Sequence, residues 1–493
     1  MEQLDQGLDQ QLRELVKMPN PQGKIADYRN LVVGLVGLRF LAQRWERGLA
    51  QHVVPATLAR QLGFSLPVDQ TWAALVAQPE PTRLSQMLAH FATEPEPFFK
   101  GLFKPVNLQS KCLGSTATAR QAALRAVIAQ VDDLTVSATA WGTVADQLIT
   151  RFAWVMQKQR EAPFYTPQTI SAVLTGVIGA HTTALDSVYD PTMGTASLLL
   201  ALGQRVTVDH YVGQEVDEAV AMIGRLNLLL HGISYQQCTT YLGDVLTADQ
   251  AGTQQFSAII ANPPYSVHWA ANPAADDPRF AAYDKLPPKS KADLAFIEQM
   301  VYHLDDAGGV MAVALPHGVL FRQAAEGAIR RTMIERDNLI DAVIGLPANL
   351  FPGTTLPMMV LVLKKHRTMQ DIFFMDASKL GRKGKNQTVL TAEQVDRIVT
   401  TYRQRIDVPN LAHVASAAEV AANQYNLNIP RYVDTYVGEP PVDLQRVTQE
   451  LQATQADLSR TQQAFNQMLG ELADKLGDPQ KLADLQQLLK KRD

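Results

Sequence analysis

Between Ile25 and Glu46, apolar side chains return at helical intervals: Leu31, Val32, Leu35, Leu38, Phe40 and Leu41. That spacing predicts a helix with a buried face. Ala119–Val131 and Thr143–Val155 repeat the pattern between loops that carry Pro and Gly, so residues 1–150 read as an N-terminal all-helical domain. From about Phe164 the period changes. Short β-branched or apolar runs at Ser187–Tyr189, His210–Gly213, Phe256–Ala261, Gly309–Leu315, Leu339–Leu346 and Met358–Leu363 alternate with helical stretches at Asp217–Leu230, Asp293–Leu304 and Gln323–Arg336. This alternation predicts an open α/β sheet with helices on both faces, and functional groups collected at the carboxyl ends of its strands. After Gly438-Glu439-Pro440-Pro441, Leu444, Leu451, Leu458, Phe465 and Leu472 recur as a heptad, with Val447, Thr454, Thr461 and Met468 in its second apolar position. The seam predicts a long, coiled-coil-like helix that docks against another. Asp478-Pro479 ends it, and Gln480–Arg492 reads as a last helix. The chain is therefore divided at 1–150, 151–437 and 438–493.

Composition narrows the function. The 493 residues, 46% hydrophobic and 19% charged, suit an ordinary globular protein of two to four domains. Chains that grip nucleic acid unaided carry a basic excess, whereas here the net charge is −4. Any nucleic-acid role must use a local patch, such as Lys364-Lys365-His366-Arg367 or Arg382-Lys383-Gly384-Lys385, or borrow charge from a partner. Cys112 and Cys238 stand far apart with no CxxC pair, which indicates no metal site and suits a reducing cytoplasm. The acidic start, Met1 to Gln6, does not resemble a signal peptide, and no apolar run is long enough for a membrane span.

The most informative string is Asn262-Pro263-Pro264-Tyr265, at the end of the run Phe256–Ala261. Methylating an exocyclic base nitrogen requires the amine to be held with its lone pair out of the ring plane. The Asn262 amide oxygen and the Pro263 carbonyl can each accept one N–H. The two prolines stiffen the loop, and Tyr265 can stack on a base rotated out of the duplex. Upstream, Asp190-Pro191-Thr192-Met193-Gly194-Thr195-Ala196-Ser197 follows a short strand and opens a helix. Gly194 permits the tight turn, and the helix N-terminus suits a carboxylate. Asp190 can orient an ammonium group. Glu215, 25 residues after Asp190, stands where a ribose diol would lie, and Asp244 at a third strand end can accept from an adenine amino group. This spacing also fits a dinucleotide enzyme, although the turn lacks G-x-G-x-x-G. Phe164-Tyr165-Thr166-Pro167 begins a helix, with Thr166 as its cap, and its aromatics can close over a ligand.

In this order the motifs resemble an amino-group DNA methyltransferase with the N6-adenine arrangement. More closely, the chain resembles the modification subunit of type I restriction–modification systems. Ser290-Lys291-Ala292-Asp293-Leu294-Ala295-Phe296, Leu315-Pro316-His317-Gly318-Val319-Leu320-Phe321, Gly345-Leu346-Pro347, Leu350-Phe351, Thr354 to Pro357, Gly381 to Lys385, Tyr425 to Tyr432 and Leu113-Gly114-Ser115-Thr116 extend the likeness over residues 30 to 435. The resemblance implies a Rossmann-like methyltransferase domain that uses S-adenosylmethionine, with Asn262, Pro263, Pro264 and Tyr265 receiving the adenine. It implies a donor pocket lined by Pro163, Phe164, Tyr165, Thr166, Pro167, Gln168, Asp190, Gly194, Thr195, Ala196, Ser197, Glu215 and Asp244. Ala196 and Ser197 depart from the family, which often has glycine there. Phe351 reads first as an ordinary core phenylalanine, with a second aromatic near the flipped base as the alternative. The implied partners are double-stranded DNA, a specificity subunit docked on the helical tail, a second modification subunit and a restriction (motor/nuclease) subunit. A non-catalytic DNA-binding scaffold and a cytosine-N4 methyltransferase are the alternative readings.

Overall fold

The computed structural model describes residues 6–158, 166–271, 276–350, 356–384, 387–435 and 443–477, with a few isolated positions beyond. They fall into two compact units, Met1–Thr435 and Tyr436–Asp493.

The first unit begins with seven helices: α1 (Gln6–Leu15), α2 (Ile25–Ala50), α3 (Pro55–Leu62), α4 (Trp72–Ala77), α5 (Pro81–His90), α6 (Ala117–Asp132) and α7 (Trp141–Lys158). The centre of this array is α2. From Tyr28 to Arg39 every residue of it is buried, so it is enclosed all round rather than along one stripe. The elements then alternate: α8 (Gln168–Gly179), β1 (Ala184–Asp190), α9 (Ser197–Gly203), β2 (Thr207–Glu215), α10 (Glu218–Leu230), β3 (Cys238–Leu242), β4 (Ala258–Ala261), α11 (Pro278–Ala281), α12 (Asp293–His303), β5 (Val310–Pro316), α13 (Ala325–Glu335), β6 (Ile340–Gly345), β7 (Met358–Lys364) and β8 (Ile372–Asp376). A two-stranded hairpin, β9 (Arg382–Lys383) and β10 (Thr388–Val389), then α14 (Ala392–Gln404), β11 (Ala412–Ala415) and α15 (Ala417–Ala422) complete the unit.

Nine strands form one sheet in the order β11-β8-β6-β7-β5-β4-β1-β2-β3. Neighbours from β5 through β3 are parallel. β7 runs antiparallel between β5 and β6. Chain order reverses between β1 and β4, and in open α/β sheets the crevice outside such a switch point is where ligands bind. The helical segment shares the core of this sheet. Gly37 of α2 lies so close to α10 that an added Cβ would sit 2.6 Å from Leu226 Cδ2. Every strand read from the sequence is present, with ends shifted by up to three residues. β3, β8 and β11 extend the sheet beyond them. β3 is a half-exposed edge strand, and β8 follows β7 with no intervening helix to mark it.

The run Lys364–Arg367 is not a free basic patch, because partners distant in sequence neutralise it. Lys364 Nζ lies 3.0 Å from Asp341, Arg367 Nε lies 3.3 Å from the same carboxylate, and Lys365 Nζ lies 2.6 Å from Asp306. Burial raises the pKa of the Asp341 carboxyl, but Lys364, Arg405 and Arg367 together bring it below the usual carboxylate range. Arg382 and Lys383 do stand exposed on the hairpin after β8; Lys385 lies outside the described residues.

The second unit is dominated by α16 (Leu444–Leu476), a single helix of 33 residues. Leu444, Leu451, Leu458, Phe465 and Leu472 of the heptad are all exposed on it, as are Val447 and Met468. The proposed last helix, Gln480–Arg492, lies almost wholly outside the described residues. Among the described residues, no helix is long and apolar enough to cross a membrane.

Candidate active site

β1 ends at Asp190, whose carboxylate is buried and curls back on the turn that follows. Its Oδ1 accepts from the Thr192 backbone N–H at 2.9 Å and from the Thr192 hydroxyl at 3.3 Å. Burial, with the Glu215 carboxylate adding to it, pushes Asp190 up to about 7. The turn then needs two left-handed residues, Gly194 (φ 55°) and Ala196 (φ 59°). For Gly194 that conformation costs nothing; for Ala196 it costs about 1 kcal/mol. Ala196 is fully buried and does not line the pocket, so its methyl does not intrude on a ligand there.

Small residues let the turn sit tightly against β2 and α10. An added Cβ on Gly213 would lie 2.4 Å from Met193 Sδ, and one on Gly224 would lie 2.8 Å from the Gly194 carbonyl oxygen. Asn227 Nδ2 donates to the Thr195 carbonyl at 2.8 Å. Glu215, at the end of β2, accepts from the Gly194 N–H at 3.0 Å and from the Asp217 N–H at 2.9 Å, so it fixes the turn. On its outer side the turn is open. An added Cβ at Gly194 would meet only the Thr192 carbonyl, at 3.9 Å.

Asn262 follows β4 directly and is almost fully buried. Its Nδ2 donates to Thr166 Oγ1 at 2.9 Å, and its Oδ1 accepts from the Tyr265 hydroxyl. Thr166 is therefore not the cap expected from the sequence: Pro167 holds the N-cap position of α8, and no side chain caps that end. A threonine before a helix reads as a cap because capping is local, whereas its partner Asn262 lies 96 residues away. The Pro-Pro loop is held from below. Ser266, itself left-handed (φ 51°), donates its N–H to Asp293 Oδ1 at 2.8 Å at the start of α12, and Asp293 pairs with Arg322 at 3.1 Å.

These parts meet in one pocket at the β1–β4 switch point. Of the residues expected for the site, Thr166, Asp190, Gly194, Thr195, Ser197 and Asn262 line it. Gln168 instead lines a second, more open cleft, which shares Thr166 and Ser197 with the first. Glu215 reaches the pocket only through its bond to Gly194. Asp244 is exposed and accepts from the Leu246 N–H at 3.0 Å, which makes it a loop cap in this structure. Pro263 is buried beside Asn262, while Pro264 and Tyr265 are half-buried. Pro163, Phe164, Tyr165 and Phe351 lie outside the described residues. Sequence reasoning missed the remaining wall. Part of it comes from the helical segment, with Arg29 and Val33 of α2 and Ile149, Ala153 and Met156 of α7, and part from Leu198 of α9 and Val220 and Ile223 of α10. Val216, next to Glu215, is an exposed apolar side chain.

The model of the family N-6 DNA Methylase matches residues 137–439. The methylase subunit of the type I restriction enzyme MpnII from Mycoplasma pneumoniae is 32% identical over 369 residues, covering 70% of this chain and 67% of that protein. The HindI methylase subunit from Haemophilus influenzae is 27% identical over 311 residues, covering 60% and 68%. A crystal structure of the type I restriction–modification methyltransferase subunit from Streptococcus thermophilus superposes with a TM-score of 0.79 at 34% identity, covering 87% of this chain and 99% of that one. A modification subunit of a putative type I restriction enzyme from Vibrio vulnificus shares the fold, with a TM-score of 0.66 at 16% identity over 87% of this chain and 97% of that one. The chain belongs to the N-6 DNA methylase family, as a methylase subunit of a type I restriction–modification system.

Proposed function

We propose that this chain transfers the methyl group of S-adenosylmethionine to N6 of an adenine rotated out of duplex DNA, with Asn262-Pro263-Pro264-Tyr265 receiving the base. The observation that carries the reading is the meeting of the Asp190–Ser197 turn and Asn262 in a single pocket at the switch point of the sheet. The residues present fit the donor. A buried carboxylate at Asp190 matches an ammonium group, and the open side of Gly194 leaves room for a ligand against the backbone. The N-terminus of α9 suits a carboxylate, and Val216 offers an apolar flank for an adenine ring.

When bound, the donor supplies a methyl already activated by its sulfonium, so the protein's task is positioning. Thr166 holds the Asn262 amide by its Nδ2, which turns Oδ1 toward Tyr265. An entering adenine amine takes the place of the Tyr265 hydroxyl on that oxygen. The Pro263 carbonyl accepts the second N–H, and the Tyr265 ring stacks on the base. Asp293, through Ser266, keeps the loop from yielding as the base enters. The test is incorporation of labelled methyl from S-adenosylmethionine into duplex DNA by this chain in complex with the specificity subunit of its own system. Stable incorporation into DNA is expected, and none would overturn the reading.

The assembly follows the same logic. The chain is net acidic and its longest basic run is neutralised internally, so affinity for the duplex is shared with other subunits. A specificity subunit reads the target, a second copy of this chain completes the clamp on DNA, and a restriction subunit joins that complex. The exposed apolar face of α16 is the docking surface for helices of the specificity subunit. Removing residues 438–493 is expected to abolish co-purification with that subunit while donor binding persists. Retained co-purification would exclude the docking role.

A further inference from the structure

Arg29 is the anomaly of the pocket wall. It sits on α2, is only 8% exposed, and lines the same pocket as Asp190, Gly194 and Asn262. Its contacts do not neutralise it. Nε and Nη2 donate to the Asn30 side-chain oxygen at 3.1 and 2.9 Å, and Nη1 points at Met156 Sδ, a weak acceptor, at 3.6 Å. Arg29 forms no ion pair among the described residues. The carboxylate that most affects it, Asp217, is bound to the Ala219 and Val220 N–H groups as the cap of α10. A buried guanidinium without a counter-charge is costly, because desolvation is not offset by an anion. Arginine nevertheless keeps its charge, and its fork of N–H donors matches a carboxylate.

The pocket thus presents one buried cation, Arg29, and one buried carboxylate, Asp190, between walls that include Val33, Ile149 and Met156. An α-amino acid carries the complementary pair on one carbon. We infer that Arg29 binds the α-carboxylate of the methionine part of S-adenosylmethionine while Asp190 takes its ammonium group, so that the helical segment supplies part of the donor site. This rests on the donor reading above and extends it to a residue outside the 137–439 stretch matched by the family model. The position was silent in the sequence. An arginine between Tyr28 and Asn30 in an apolar helix reads as a surface residue, and only the burial of α2 on all sides makes it informative.

The test compares two ligands by calorimetry on the full chain: S-adenosylmethionine and its decarboxylated analogue, which keeps the sulfonium and the ammonium. The unaltered chain is expected to prefer S-adenosylmethionine by roughly 10- to 100-fold, as for loss of a charged hydrogen-bonded group. Arg29→Gln is expected to weaken S-adenosylmethionine by a similar factor and leave the analogue within about twofold, erasing the preference. Arg29→Lys, which keeps the charge but not the fork, is expected to retain part of it. The inference is overturned if the unaltered chain does not distinguish the ligands. It is also overturned if Arg29→Gln or Arg29→Lys weakens both ligands equally, or if Arg29→Gln keeps the full preference. Failure of the unaltered chain to bind either ligand counts instead against the donor reading itself.

Discussion

Asn262→Ala is expected to slow methyl transfer by about 10²–10³-fold, as for removal of one preorganised polar contact to the reacting group, while S-adenosylmethionine binds within about threefold of the unaltered chain. The separation arises because Asn262 serves two neighbours unequally. It borders the donor pocket, but the groups proposed to hold the donor's charges, Asp190 and Arg29, are elsewhere in the wall. For the base, its Oδ1 is the acceptor proposed to orient the amine, and alanine has nothing to put there. The fold should tolerate the change. Thr166 and Tyr265 each lose one hydrogen-bond partner, and both are only half-buried, so the cost is about 1–2 kcal/mol. Single-turnover transfer and donor calorimetry on the same preparation check both halves. Transfer at the unaltered rate would remove Asn262 from the mechanism.

Glu298→Gln is expected to stabilise the protein by about 3 kcal/mol at pH 7, with a gain that grows as pH rises. Glu298 lies on α12, fully buried, and neither carboxylate oxygen has a hydrogen-bond partner among the described residues. Burial pushes its pKa up to about 9, from an ordinary value of 4.5. The folded state therefore binds this proton more tightly than the unfolded chain does. Below about pH 4.5 both states are protonated and the group costs nothing. Between about pH 4.5 and 9 the unfolded chain ionises while the folded one does not, and stability falls by about 1.4 kcal/mol per pH unit. Glutamine keeps the shape and removes the titration. Denaturant unfolding at pH 5, 7 and 9 measures the difference, which should widen at each step. A difference independent of pH would show that Glu298 is not held neutral in the core. The site is also involved, because α12 carries Asp293, which holds the Asn262–Tyr265 loop through Ser266.

What could be read from the chain were features whose cause is local. Asn262 follows an apolar run directly, Gly194 follows Asp190 within one turn, and both fall at strand ends, where the topology brings them together. The heptad from Leu444 to Leu472 is likewise a local repeat, and it forms one helix. What could not be read depended on contacts far along the chain. Lys364 and Arg367 look like a basic patch until Asp341, on a neighbouring strand, is placed beside them. Thr166 looks like a cap until Asn262 reaches it. Arg29 and the α7 residues of the pocket wall have no motif, because their role comes from packing α2 and α7 over the switch point. β8 is apolar enough to be a strand, but its parallel partner β6 is separated from it by β7, and no helix marks the crossover.

The proposed chemistry is methylation of adenine at N6 in the pocket at the ends of β1 and β4, with Asn262 orienting the base. Mass-spectrometric analysis of nucleosides from DNA treated with the complex tests it most directly, with the unaltered chain and Asn262→Ala compared in parallel. N6-methyladenine is expected as the methylated nucleoside from the unaltered complex, and it should be nearly absent from the variant. N4-methylcytosine in its place, or equal N6-methyladenine from both proteins, would contradict that chemistry.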